Sequence, residues 1–246
     1  MAVTPTSGKT HGKYTRVIVD GVDLSGDMRT IGSMGVTWEP ADYSGFQAVR
    51  DFGTGMGRVV LDGFQALFSN TASTGSHTEL SALESYYVTV ALGIREAPTV
   101  GAPAFAATLE QGSYVPDVSQ GSVTLAASFF SPTTETIDSK VWGHILATGA
   151  TLSASSSSGS IDNGASSANG AAAFLHVVAT SSGNYALKIE DSANDSAWSD
   201  LITFTADGSA VTAERGSAAG TVDRYVRFTY TKTAGTFDAW VSFIRL

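Results

Sequence analysis

The sequence predicts a mainly β protein: a β-barrel or sandwich with one short helix at about residues 77–86, followed by a C-terminal β-sandwich-like module. Three observations point there. The 246 residues hold 31 Ser, 28 Thr and 26 Gly, while charged residues make up only 15%, well below the ~25% of an average soluble domain. That balance suits short strands joined by turns, not charge-rich surface helices. Apolar and β-branched runs recur between turn dipeptides, most regularly after residue 170. A helix-start signature stands out at only one place.

The elements follow in order. Residues 1–15 form a polar arm. Tyr14–Asp20 is a β-branched strand closed by an Asp20-Gly21 turn. Arg29–Trp38 alternates loosely and reads as a strand with a bulge. Glu39–Gly45 reads as a loop because of Pro40, and Gly53–Gly57 as a flexible hairpin tip. Arg58–Phe64 is a strand. Ser76 and Glu79 match a capping box, and Leu80, Leu83 and Tyr87 follow at helical spacing, which predicts the helix. Tyr86–Arg95 returns to strand, and Ala97–Ala107 reads as a linker or long loop. Tyr114–Val118, Ser122–Phe130 and Val141–Leu146 read as strand pieces.

Ser153–Gly170 is nearly all Ser, Gly, Ala and Asn, and is the strongest boundary candidate. The expected organisation is an arm (1–15), a β domain (16–150), a linker or loop (151–170) and a C-terminal β module (171–246). Within that module, Val226, Phe228 and Tyr230 share one face of a strand, and Tyr225, Arg227 and Thr229 the other.

Composition excludes several function classes. With no Cys there are no disulfides, thiolate metal sites or Cys nucleophiles. No apolar run reaches the ~20 residues of a membrane helix, and residues 1–16 lack a signal-peptide apolar core. Net charge is −9 with no visible basic patch, which argues against a sequence-reading nucleic-acid binder. It leaves room for an acidic wall that DNA slides past.

Catalytic and ligand motifs are weak. His11, His77, His144 and His176 share no ligand spacing. His176, in an apolar strand, reads as a half-buried packing residue, and His77 as a surface one. Asp191–Asp200 gathers three carboxylates. A solvated turn with Trp198 folded on the sheet is favoured over a calcium loop, which would need a Gly and a closing Glu that are missing. The Gly53–Gly57 run leads into a strand, so a dinucleotide site on a helix terminus does not follow. No enzyme, cofactor or metal is expected.

The order of several short motifs resembles the major tail proteins of long-tailed bacteriophages, the tail tube subunits. Asp20-Gly21-Val22-Asp23-Leu24-Ser25-Gly26 follows a first strand. Val49-Arg50-Asp51, a Gly turn, Val60-Leu61-Asp62-Gly63-Phe64 and a helix at Ser76–Glu84 come next. Gly170–Val177, Lys188–Phe204 and Arg224–Phe228 resemble the closing module of the same proteins. Together these stretches cover roughly two thirds of the chain. One departure is Phe52–Gly57, which extends the Arg-Asp-Gly turn.

The resemblance implies a tail-tube-like β domain and no enzyme. It implies homo-hexameric rings that stack into a tube, with other phage tail proteins as partners. Genomic DNA would pass through the bore without sequence-specific binding, no membrane is involved, and assembly would occur in the host bacterial cytoplasm. A trimeric ring stays open if the second half supplies another tube-like sheet. Glu39, Asp42, Tyr43, Phe46, Arg50 and Asp51, in the long loop, are the candidate contacts between subunits or rings. Two other readings remain: another virion component, such as a head decoration or tail-tip protein, and a carbohydrate-binding sandwich with Trp198 or Trp240 as its platform.

Overall fold

The computed structural model describes residues 12–42, 44, 52–94, 96–132 and 140–246. A short 3-10 turn, Gly12–Tyr14, leads into the first strand. The first half holds β1 (Thr15–Val19), β2 (Val22–Asp23), β3 (Met28–Thr30), β4 (Ser33–Asp42), β5 (Phe52–Leu67), α1 (Ser76–Leu80), β6 (Ser85–Leu92), β7 (Pro103–Val118) and β8 (Val123–Phe130). The second holds β9 (Trp142–Leu152), β10 (Ser156–Ser157), β11 (Ile161–Asp162), β12 (Ala171–Ser192), β13 (Ser199–Thr203), β14 (Thr212–Ala218) and β15 (Tyr225–Arg245). All fifteen strands belong to one sheet whose main path runs β13-β12-β15-β9-β7-β6-β1-β2. It folds into sandwich-like layers and does not close into a barrel.

Long bent strands build the layers. Residues 104–110 of β7 pair with β6, and its later residues pair with β8. The register shifts between Gln111 and Ser113. Gly112 sits at that shift, where a Cβ would come within 2.5 Å of the Phe130 ring. β7 therefore serves two layers. Between them lies a core of Val17 and Val19, Val88 and Val90, Phe105 and Leu109, closed by Leu61, Phe64, Leu125 and Phe129. The hairpin of β12 and β15 shifts register at three points around residues 177–185. A second core draws on both its halves, with Leu175, Val177, Leu187, Ile189, Phe228, Val241 and Phe243. As expected, Val226 and Phe228 point inward and Tyr225, Arg227 and Thr229 are half-buried. At roughly 25 cal/mol per Å² of apolar surface, burial in these cores is the main stabilising term.

The local structure differs from the sequence pattern at several places. The helix spans five residues, not about ten, and the capping box does not form. Gly75 is the N-cap, without a side-chain cap. The Ser76 hydroxyl instead donates to Leu67 O at 2.5 Å. Leu83 has a φ of 57° and is exposed, and β6 already begins at Ser85. Cross-strand pairing thus wins over the i, i+3, i+7 spacing. Glu39–Asp42 is not loop: it extends β4. Pro40 is tolerated because β4 is an edge strand with a bulge there. Gly53–Gly57 is strand rather than hairpin tip. Pro103–Ala107, expected as linker, opens β7. Ala102, Ala104 and Ala106 are buried, and their small side chains allow the two halves of the protein to approach closely.

The Ser-rich segment lies along β15. β10 and β11 pair with it, Ser158 N donates to Phe228 O, and Asn163 N to Arg224 O. An edge of β15 that would otherwise be open is thereby covered.

Candidate functional site

β4 and β5 pair from Ser33↔Asp62 to Asp42↔Phe52. β8 joins β5 only from Val60 onward. The far part, Thr37–Asp42 against Phe52–Arg58, is therefore a two-stranded ribbon with no third strand among the described residues. Isolated two-stranded ribbons are marginal in water. Unpaired N–H and C=O groups along their edges make them templates for another strand.

Trp38 marks this ribbon. Its side chain is 52% exposed. It lies across Gly57, where a Cβ would sit 2.6 Å from the indole ring. Glu39 and Asp42 are exposed beside it. The Asp42 carboxylate accepts from Ser44 N at 2.8 Å, and hydrogen bonding to Ser44 holds its pKa below the ordinary value. Of the six residues expected to make contacts, only Glu39 and Asp42 are placed here. Tyr43, Phe46, Arg50 and Asp51 lie outside the described residues. Trp38 was not anticipated. Its signal is the spacing of Gly53, Gly55 and Gly57, a period of two that belongs to a strand rather than a turn.

Other candidates resolve into structure. His176 is fully buried, not half-buried, in the seam between the two cores. Its Nδ1 accepts from Gly21 N at 3.3 Å, and its Nε2 lies 2.9 Å from Thr89 Oγ1, which in turn reaches Ser242 Oγ at 3.1 Å. Burial drives its pKa down to about 3. With no opening to solvent, this chain of groups is a polar pin between layers. Gly21, φ 87°, makes the docking possible: a Cβ there would sit 2.8 Å from Val177 O. His77 is not a free surface residue. It stacks on Phe68 and meets Tyr114 OH at 2.5 Å.

The carboxylates of residues 191–200 part company. Asp191 accepts from Asp223 N at 2.8 Å, and Asp200 pairs with Lys188 at 2.5 Å. The turn is organised instead by Asn194 Oδ1, which accepts from Ser196 N and Ala197 N. Among the described residues no group of three His, Asp or Glu is placed to hold a metal ion. No described helix is long and apolar enough to cross a membrane. Neither tryptophan offered as a sugar platform is open. Trp240 is 5% exposed, and Arg227 lies 4.0 Å over the Trp198 ring.

No protein-family model and no curated protein matches the chain. Among solved structures it is similar to the crystal structure of the Dit protein of SPP1, described as a paradigm of the hub adsorption apparatus in phages infecting Gram-positive bacteria. The TM-score is 0.31 at 9% identity, over 94% of this chain and 99% of that one. So slight a likeness carries no weight for the fold or the function.

Proposed function

We propose that this chain is a structural virion protein, the major tail subunit of a long-tailed phage. It self-assembles into rings that stack into a tube for DNA ejection. The observation that carries this reading is the projecting ribbon at Thr37–Asp42 and Phe52–Arg58, with open edges and an exposed Trp38. A ribbon of this kind gains stability when a neighbouring copy supplies a strand or an apolar surface.

Two further features support it. The order of motifs from Asp20 to Phe228 resembles that of tail tube subunits. A net charge of −9 gives a wall that repels phosphates, so DNA slides through without sequence-specific binding. On this reading the partners are other copies in a hexameric ring, and other tail proteins at the tube ends. The protein acts in the virion and not in catalysis, and it matures in the host cytoplasm, where a chain without Cys loses nothing.

Mass photometry of the isolated ring tests the stoichiometry. The expected species is six times the 25.4 kDa chain. A species of three chains would establish the trimeric alternative. A single-chain species at every concentration would overturn the proposal.

A further inference from the structure

At the base of β4 lies a cleft of about 400 Å³. Its lining combines the apolar Met28, Ile31 and Met34 with Lys13, Arg16 and Arg29. Three of the chain's 14 cations thus gather at one cleft of an acidic protein. None of the three has an ion-pair partner among the described residues, and Lys13 lies over the Tyr14 ring. Two neighbouring acids are engaged with backbone N–H groups, and Asp238 lines a second cavity with Arg16. Asp23 accepts from Ser25 N, and Asp27 from Ser76 N, each at 3.0 Å. Three cations in the second half are matched with acids: Arg224 with Asp162, Arg227 with Glu190 and Lys188 with Asp200.

Such a cleft fits an occupant that is both anionic and partly apolar. The far part of β4 offers that chemistry, with Trp38, Glu39 and Asp42 all exposed. It cannot reach its own cleft. β4 is held against β5 from Ser33 to Asp42. The eight steps from Met34 to Asp42 span ~26 Å at ~3.3 Å per residue. We propose that β4 carries both halves of a head-to-tail contact, in which the cationic cleft of one copy receives the Trp38–Asp42 ribbon of a second copy. Donor and acceptor are then different surfaces of each chain. Repetition of such a contact closes a ring or extends a stack. The inference rests on the self-assembly proposed above and names the surface that receives the ribbon.

The test uses the full chain with a photo-crosslinking benzophenone amino acid in place of Thr15, which lines the cleft. Light and isotopically heavy chains are mixed before assembly and irradiation. The expected product is a heavy–light crosslink to the peptide containing Trp38–Asp42. Crosslinks confined to residues 1–11 of the same chain would show that the N-terminal arm fills the cleft, and would overturn the contact. Absence of crosslinks to residues 38–42 would also overturn it. A charge swap gives a second readout. Arg29→Glu and Glu39→Lys alter exposed side chains, and each should raise the concentration for half-assembly about tenfold, with the two changes together restoring it. If the wild type assembles and Arg29→Glu assembles equally well, the contact is wrong and the tube reading stands. If the wild type never assembles, the tube reading fails and takes the contact with it.

Discussion

His176 and the carboxylates near α1 respond to acid in opposite directions. Burial holds the His176 pKa near 3 in the folded protein, against 6.5 in an open chain. Below pH 6.5 the unfolded chain therefore takes up a proton that the folded one refuses. Stability from this group is complete above pH 6.5 and is lost as pH falls toward 3, by at most about 1.4 kcal/mol per pH unit. Glu79 is pushed up to about 7, first by burial and then by the charges of Asp20 and Glu84. Asp20 is pushed up to about 6 by burial, against the hydrogen bond from Tyr87 N. Both carboxyls bind protons more tightly when folded, so their burial costs most above pH 7 and the cost is relieved as pH falls. Glu79→Gln should accordingly raise Tm at pH 8 and flatten the profile between pH 7 and 5 in thermal melts. An unchanged profile would show that Glu79 is solvated. His176→Ala should cost about 2–4 kcal/mol, from lost packing and unpaired groups at Thr89 and Gly21. It should also remove the acid sensitivity below pH 6, as read by urea unfolding across pH. These roles were only partly legible in the sequence. Alternation around Leu175 and Val177 placed His176 in a strand, but full burial depends on Gly21 and Thr89, which lie 155 and 87 residues away.

Strands whose two faces differ were legible, and those paired outside the cores were not. Arg224–Tyr230 alternates because one face meets a core, so its period shows in the sequence, and Arg58–Phe64 shows as a β-branched and apolar run that is buried over Val59–Leu61. Leu61, at 0% exposure, faces Phe129 across the β5–β8 ladder. Leu61→Asp should bury an unpaired charge and abolish soluble folding, as followed by soluble yield and circular dichroism. A folded, soluble variant would contradict the strand and core assignment. The ribbon carries no such pattern. Glu39, Pro40 and the glycines of β5 resemble loop residues because the ribbon has no core face to impose an apolar period. The short helix failed for the opposite reason. Leu80 enters the core, but Leu83 turns to solvent at a positive φ and Tyr87 already belongs to β6. Trp38→Ser should leave monomer stability within about 1 kcal/mol, since the side chain is more than half exposed. The same change should weaken assembly. Concentration-dependent light scattering separates the two effects, and unchanged assembly would remove the ribbon from the interface.

For the whole molecule, one antiparallel sheet builds two cores, and the seam between them combines small alanines and the polar His176, Thr89 and Ser242 with Ile18, Ile145 and Trp240. Composition pointed to this β architecture, because Ser, Thr and Gly fill its turns and outer faces. It did not show how the Ser-rich segment follows the edge of β15, since those hydrogen bonds come from the backbone and leave no mark on residue type. Charge is unevenly used. Three cations of the second half, Lys188, Arg224 and Arg227, are paired with acids, and the three around the β4 cleft have no acid partner among the described residues. A contact made by these exposed charges weakens with salt, so assembly should be strongest at low ionic strength. Negative-stain microscopy of the concentrated full chain in low salt decides whether the chain assembles. Rings, or tubes of stacked rings, with a central channel are expected. A field of single 25.4 kDa particles at every concentration, with or without a tail initiator, would contradict self-assembly.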